Sequence, residues 1–191
     1  MKNIFDFVAP FYEKVHLGAY KTFKKIEMLI GGFNAQDTVV DLGGGTGRIA
    51  KFLAGKVKNI TVFDPSEKMI EQCQKHQGVS CAVANGENLP VENNFTDKMI
   101  IVDAFHHIKN QEAVIKEIKR VLKPQGKVLI EEFNPLALGG KLAVFFEKIL
   151  RLGSIFYEPE LLANLFSRNG FEVQLFDKNK RSYYLLVRNL Q

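Results

Sequence analysis

From Thr38 onward, short apolar runs alternate with segments whose apolar residues recur at helical spacing. The apolar runs predict five strands, over residues 38–41, 59–63, 79–84, 98–102 and 127–133. The helical spacing predicts intervening helices near 48–53, over 66–77 and through 114–122. Strands and helices that alternate in this way form parallel sheets with crossover helices, so we expect a doubly wound α/β fold.

The alternation ends near the C-terminus. Residues 158–169 have one apolar helical face and are closed by Gly170. Residues 171–176 and 182–187 are then predicted as two strands, separated by a few residues around Asn179. A link this short makes a hairpin, so the last strand must run antiparallel to its neighbour.

Two aromatic-rich segments lie outside this regular unit, at residues 1–32 and 135–157. The second carries a predicted amphipathic helix, whose apolar face is Leu142, Phe145, Phe146, Ile149 and Leu150. Ligands of open α/β sheets bind at the carboxyl ends of the strands, where the second segment begins. We therefore expect one domain over 1–191, with an N-terminal helical lid at 1–32 and a lid insertion at 135–157.

Composition narrows the class of protein. The hydrophobic fraction of 46% and the charged fraction of 25% are ordinary for a globular domain, and no apolar run is long enough to span a bilayer. Asp6 and Pro10 interrupt what would be the apolar part of a signal peptide. Cys73 and Cys81 form no CxxC pair, so we interpret them as buried thiols in a reducing, cytoplasmic location. The net charge of +5 is spread along the chain and does not indicate a nucleic-acid partner.

The stretch VVDLGGGTGRIA, residues 39–50, places a glycine-rich turn after the first strand. A phosphate-binding P-loop would need a lysine followed by Ser or Thr at a spacing that this turn lacks. The dinucleotide fingerprint G-x-G-x-x-G/A fits at Gly43 and Gly45, but its sixth position is Arg48 where a small residue is required. A nicotinamide-dependent enzyme is thus disfavoured and stays open as an alternative.

The pattern D-x-G-x-G-x-G, formed by Asp41, Gly43, Gly45 and Gly47, resembles motif I of the class I S-adenosylmethionine-dependent methyltransferases. The resemblance implies S-adenosylmethionine as cofactor and S-adenosylhomocysteine as product. It also implies that the three glycines lie along the methionine part of the cofactor and that Asp41 orients the turn and the ammonium group. A carboxylate suits an ammonium and would repel a pyrophosphate. The alternative is that Asp41 only caps the following helix.

The second predicted strand ends at Asp64, followed by Pro65. A carboxylate there can accept both hydroxyl groups of a ribose, and the same family carries an acid at this place. Because the ribose of NAD would be bound equally well, Asp64 does not separate the two cofactors. Helix capping is the alternative for Asp64, although Ser66 could serve as the cap instead.

The stretch ANGENLP, residues 84–90, resembles the D-A-E-x-L-P-F stretch of the branch that includes the ubiquinone and menaquinone biosynthesis methyltransferases. There the acid accepts from the adenine amino group and the neighbouring backbone binds the ring edge. Asn85 replaces that acid and Gly86 replaces the alanine, whereas Glu87 matches. An amide oxygen can accept the same hydrogen bond without charge. For Glu87, a surface-loop acid is the alternative.

The resemblance extends from the opening FDFVAPFYEKV to about Glu132 and weakens after Pro135. It implies a Rossmann-like seven-stranded sheet with an antiparallel last strand, and a contact between Tyr12 and the cofactor. Methyl transfer from a sulfonium is a direct displacement that needs alignment and exclusion of water.

His106 and His107 follow the fourth strand and are the candidate bases, with core packing and helix capping as the alternative. Asp103 beside them could contact the cofactor or a substrate. We expect no metal, because two adjacent histidines without further acids make a poor site. The aromatic lids favour a small, apolar or aromatic acceptor. A non-catalytic S-adenosylmethionine-binding scaffold and an RNA methyltransferase stay open as further functions, and a homodimer stays open as an assembly.

Overall fold

The structure is a computed structural model that describes residues 18–149 and 153–191, without the side chains at 142, 143 and 146–148. The predictions for Tyr12, for residues 1–17 of the N-terminal lid and for Leu150 lie outside the described residues, as do those for the side chains of Leu142 and Phe146.

In the described part of the chain, seven strands form one sheet in the order β3-β2-β1-β4-β5-β7-β6. They are β1 (Thr38–Leu42), β2 (Asn59–Asp64), β3 (Ser80–Val83), β4 (Thr96–Val102), β5 (Leu122–Phe133), β6 (Phe171–Phe176) and β7 (Ser182–Asn189). The first five strands are parallel to one another, and β7 runs antiparallel to both β5 and β6. The predicted Rossmann-like sheet and its antiparallel C-terminal hairpin are therefore confirmed.

Five α-helices accompany the strands over the same described residues: α1 (Ala19–Ile30), α2 (Glu67–Cys73), α3 (Gln111–Val121), α4 (Leu138–Ile149) and α5 (Pro159–Arg168). Helix α1 packs on one face of the sheet through Phe23, Ile26 and Ile30. Helices α3 and α5 cover the other face. Residues 19–30 of the predicted N-terminal lid thus form a layer of the hydrophobic core.

The predicted helix at 48–53 is the largest local difference, because only a 3-10 turn forms, over Ala50–Phe52. Gly47 and Gly55 bracket it in left-handed conformations, with φ of 75° at each. Its last backbone hydrogen bonds, from Phe52 to Ile49 and from Leu53 to Ala50, are of the i to i−3 type. The glycine turn therefore leads into a tight, rigid corner, whose side chains at Ile49, Ala50 and Leu53 are buried.

The two cysteines correct the expectation of free thiols, because the structure joins Cys73 and Cys81 in a disulfide. Cys73 ends α2 on its buried side and Cys81 lies on β3, the strand beside which α2 packs, with Cα atoms 6.1 Å apart. This separation is ordinary for a disulfide. The pairing removes the basis on which a reducing compartment was inferred from these residues.

The topology locates the crevice in which a ligand would bind. Strand β1 lies between β2 and β4, so the chain leaves it towards one side and later returns on the other. This reversal of winding opens a crevice at the carboxyl ends of β1 and β4. The glycine turn follows β1 at this edge of the sheet.

Candidate functional site

The glycine turn has a backbone conformation and close contacts that leave no room for side chains. Gly43, Gly45 and Gly47 all have positive φ, at 70°, 56° and 75°. A Cβ at Gly43 would also lie 2.5 Å from the Cβ of Ala104, which follows β4. The turn therefore lies against the end of the neighbouring strand, and glycine is required both by conformation and by close approach.

Asp41, near the end of β1, is 1% exposed beneath this turn. Neither carboxylate oxygen has a hydrogen-bond partner of acceptable geometry among the described residues. Burial raises the pKa of Asp41 to about 7, with a further raising by Asp64, whereas Arg48 and a backbone hydrogen bond from Ala50 act to lower it. A Cβ at Gly44 would lie 2.5 Å from the carboxyl carbon of Asp41. Gly44, which the sequence motif did not single out, therefore packs its backbone directly against this carboxyl group.

Asp64 ends β2 and connects two loops. Its Oδ2 accepts the Gly45 N–H at 3.0 Å and its Oδ1 accepts the Ser66 N–H at 2.9 Å. The Ser66 hydroxyl accepts the Met69 N–H and caps α2. The side chain that caps this helix is therefore that of Ser66 and not that of Asp64. Pro65, between Asp64 and Ser66, is exposed at the rim of the site.

The loop after β3 presents Asn85 to solvent and buries Gly86. Glu87 accepts the backbone N–H of Asn110 at 3.3 Å, which ties it to the start of α3. The loop is held from beneath by Glu117, which accepts the Leu89 N–H at 2.6 Å. A hydrogen bond from Arg120 lowers the pKa of Glu117 and outweighs burial, which acts to raise it. This support from α3 was absent from the sequence predictions.

Arg48 links the glycine turn to the end of β4. Its guanidinium lies 3.3 Å from Oδ2 of Asp103, and the two side chains are 7% and 19% exposed. Asp103 has a φ of 52°, a conformation rarely adopted by residues other than glycine. Its Oδ1 is buried with no partner among the described residues. Burial raises the pKa of Asp103 to about 6, although Arg48 acts to lower it.

Glu131 on β5 lies beside Asp103, whose backbone N–H donates to the Glu131 carbonyl at 3.0 Å. Oε1 of Glu131 accepts the Tyr184 hydroxyl at 3.0 Å, whereas Oε2 has no partner in the described part of the chain. Burial and then the charge of Asp103 raise the pKa of Glu131 to about 7. Glu131 was not among the predicted site residues, because it lies within a predicted strand.

His106 lies within a 3-10 turn, Phe105–His107, and is 2% exposed. Its Nδ1 donates to Oε2 of Glu132 at 2.5 Å, and Oε1 of Glu132 accepts the Phe105 N–H at 2.8 Å. Phe156 stacks on the imidazole, with ring centroids 4.6 Å apart. Glu132 and Phe156 therefore fix the orientation of this histidine.

His107 is half-buried and contacts the end of the predicted lid insertion. Its Nδ1 lies 3.0 Å from the Ser154 hydroxyl, and the Ile155 N–H donates to the His106 carbonyl at 2.8 Å. Residues 153–157 thus dock on the two histidines. This placement joins the lid insertion to the end of β4, where both histidines were predicted to lie.

The fold brings Asp41, Asp64 and Asp103 to one edge of the sheet around the glycine turn. Asn85 and Glu87 lie on the adjacent loop. In the described ranges, no three His, Cys, Asp or Glu side chains form a group that could hold a metal ion. In the same ranges no helix is long and apolar enough to cross a membrane.

Comparison with known proteins gives concordant results. Residues 40–130 match the sequence model of a family described as "Methyltransferase domain". The chain is 30% identical over 140 residues to the ubiquinone/menaquinone biosynthesis C-methyltransferase UbiE of Rubrivivax gelatinosus, covering 70% of this chain and 56% of that protein. The chain therefore spans little more than half the length of that relative.

Two solved structures resemble the whole fold. One is the methyltransferase of a Haloferax volcanii complex with the Trm112 methyltransferase activator, with a TM-score of 0.85, 15% identity and full coverage of both chains. The other is a Thermotoga maritima S-adenosylmethionine-dependent methyltransferase described as a possible histamine N-methyltransferase. Its TM-score is 0.81 and its identity 23%, over 99% of this chain and 100% of that one. At these identities the likeness establishes the fold.

Proposed function

We propose that this chain, which belongs to the S-adenosylmethionine-dependent methyltransferases, transfers a methyl group from S-adenosylmethionine to a small, apolar or aromatic acceptor by direct displacement. The observation that carries the proposal is the Asp41 carboxylate. It is buried beneath the glycine turn, and neither of its oxygens has a partner of hydrogen-bond geometry among the described residues, although Arg48 and the Ala50 backbone N–H act to lower its pKa. A buried charge of this kind is costly unless a cation pairs with it. The ammonium group of an amino-acid tail supplies that cation.

The remaining predicted contacts are distributed along the same edge of the sheet. We propose that the turn at Gly43, Gly45 and Gly47 lies along the methionine part, since its backbone is bare of side chains. Asp64, at the end of β2, accepts the ribose hydroxyls in this proposal. The other proposed cofactor contacts are Pro65, Asn85, Gly86, Glu87, Asp103 and Tyr12.

S-adenosylmethionine supplies a methyl group on a sulfonium, whose leaving group is a neutral thioether. The protein therefore needs no general acid for the leaving group, and its task is alignment and exclusion of water. Residues 153–157 support this role, because they close over the end of β4 through contacts to His106 and His107.

The two histidines differ in what their surroundings allow. We propose that His106 is a positioning residue, because Nδ1 is committed to Glu132 and Phe156 covers the ring. His107 is more exposed and stays the candidate for the group that accepts a proton from the acceptor. A substitution of His107 that leaves the pH dependence of methyl transfer unchanged would contradict this assignment.

The nicotinamide alternative is disfavoured by charge. A pyrophosphate at the glycine turn would lie close to the buried carboxyl of Asp41. The two negative charges would repel each other. Arg48, which could offset that repulsion, is already paired with Asp103.

A thermal-shift experiment tests the proposal. We expect S-adenosylhomocysteine to raise the melting temperature by mass action and NAD to leave it unchanged. Asp64→Ala should abolish the shift, and Glu172→Gln, an exposed substitution on β6, should leave it intact. Stabilisation by NAD alone would overturn the proposal, and an unchanged shift in Asp64→Ala would assign that residue to loop structure only.

A further inference from the structure

We propose that Glu131, together with Asp103, forms a second anionic subsite beside the cofactor, and that it binds a cationic nitrogen of the acceptor. The inference rests on the proposed function and deepens it, because it gives the acceptor a chemical class. The acceptor is then a small amine with an apolar or aromatic body.

The first support is an unsatisfied buried atom. The Glu131 residue is 7% exposed, and its Oε2 has no hydrogen-bond partner in the described part of the chain. Its other oxygen is held by the Tyr184 hydroxyl at 3.0 Å, which fixes the carboxylate in place. Natural proteins pair buried polar atoms with few exceptions, so such an atom at a ligand-binding edge indicates a missing partner.

The second support is the position of Asp103. Its backbone N–H donates to the Glu131 carbonyl, so the two residues are neighbours across β4 and β5. Its Oδ1 is likewise buried without a partner among the described residues. The two carboxyls disfavour each other's ionised form, which raises the pKa of Glu131 beyond the effect of burial. The Asp103 side chain is 19% exposed and is therefore the more accessible member of the pair.

The third support is the balance of charge around the pair. Arg48 is the cation that contacts Asp103, and it also lies within electrostatic range of Asp41 and Glu131. Glu132 adds a further negative charge from β5, while Arg181 and His106 lower the pKa of Asp103. Bound S-adenosylmethionine brings one net positive charge, which is matched by Asp41. Arg48 is shared among Asp41, Asp103 and Glu131, so one guanidinium faces three carboxyl groups, and a protonated amine supplies a further cation by a charge-assisted hydrogen bond.

The experiment uses the full-length protein saturated with S-adenosylhomocysteine at pH 8, where 2-phenylethylamine is cationic. Its affinity is measured by calorimetry beside that of 2-phenylethanol, in which a hydroxyl replaces the ammonium. We expect the amine to bind about tenfold more tightly than the alcohol, as expected for one charge-assisted hydrogen bond. Glu131→Gln should remove the difference while the affinity for S-adenosylhomocysteine stays the same.

Two variants keep the result interpretable. Tyr184→Phe removes the hydroxyl that holds Oε1 and helps to lower the pKa of Glu131, so it should weaken the preference for the amine without abolishing it. Glu172→Gln removes an exposed acid on β6 and should change nothing. Equal affinity for the two probes, no binding of the amine, or a preference that survives in Glu131→Gln would each overturn the subsite. A parent protein that does not bind S-adenosylhomocysteine would instead overturn the proposed function.

Discussion

At the scale of single residues, the site is distinguished by carboxylates that the fold buries without pairing. Asp41 is the clearest, because neither of its oxygens has a partner of hydrogen-bond geometry among the described residues, and only Arg48 and the Ala50 backbone N–H act to lower its pKa. The sequence motif predicted Asp41 as a ligand-binding acid, whereas only the structure shows that Gly44 packs against its carboxyl group. Gly44 could not be singled out from sequence, since its φ is unremarkable and its role is a contact.

The pKa of Asp41 predicts an unusual dependence of stability on pH. In the cofactor-free fold this pKa is raised to about 7, above its unfolded value, so the folded state binds more protons than the unfolded state between these values. The free energy of unfolding should therefore fall as the pH rises from 5 to 8, by about 2 kcal/mol from this residue. Urea denaturation at the two pH values measures it.

Asp41→Asn is the matched variant, because it keeps the shape and removes the titration. It should unfold with a weaker pH dependence than the parent protein and should be the more stable of the two at pH 8. Asp97→Asn is the control. Asp97 is a partly exposed acid, and a hydrogen bond from Lys123 lowers its pKa although burial acts to raise it. An equal change in the free energy of unfolding between pH 5 and 8 in the parent protein and in Asp41→Asn would contradict the buried-charge interpretation.

At the scale of elements, strands were predictable and connections were not. The strand bounds from hydrophobic patterning agree with β1, β2 and β4 to within a residue or two, because buried parallel strands are continuous apolar runs. The predicted helix at 48–53 failed because two left-handed glycines shorten the segment to a 3-10 turn. The expectation of free thiols failed because disulfide pairing depends on how α2 packs beside β3, which spacing along the chain does not encode.

The first turn of α4 provides a prediction about the lid insertion. A Cβ at Gly140 would lie 1.7 Å from the Asn134 carbonyl oxygen, whereas one at Gly139 would meet the flexible side chain of Arg181 at 3.0 Å. Gly140→Ala should therefore displace α4 and destabilise the protein by about 1–3 kcal/mol. Gly139→Ala should cost much less. Urea denaturation and hydrogen exchange over 138–149 compare them, and equal effects would contradict the packing of this turn on Asn134.

The disulfide gives a second prediction at this scale. It closes a short loop with a sequence separation of 8, for which chain entropy predicts about 2 kcal/mol of stabilisation. Cys73 also lies against Gly47, where a Cβ would be 3.0 Å from the sulfur. Reduction should lower the melting temperature and increase hydrogen exchange at the glycine turn. Unchanged melting after complete reduction, verified by thiol alkylation, would contradict it.

At the scale of the whole molecule, the fold class followed from the sequence, as did the placement of Asp41, Asp64 and Asp103 at one edge of the sheet, and the acceptor region did not. Alternating elements predicted the sheet, and the acids after successive strands predicted the edge at which we propose that the cofactor binds. Glu131 was not predictable, because the contacts that single it out come from Tyr184 on β7 and from Asp103, which follows β4. Likewise, the partner of His106 is Glu132, 26 residues later in the chain.

The central claim is that Asp41 receives the ammonium end of the cofactor, and calorimetric titration with S-adenosylhomocysteine at pH 7 tests it most directly. Because Asp41 has a pKa of about 7 before binding, pairing with an ammonium should release protons, and the observed heat should differ between phosphate and Tris buffers. We predict that Asp41→Asn weakens binding about tenfold or more and reduces the proton release. Binding by Asp41→Asn with the affinity and the proton release of the parent protein would contradict the claim.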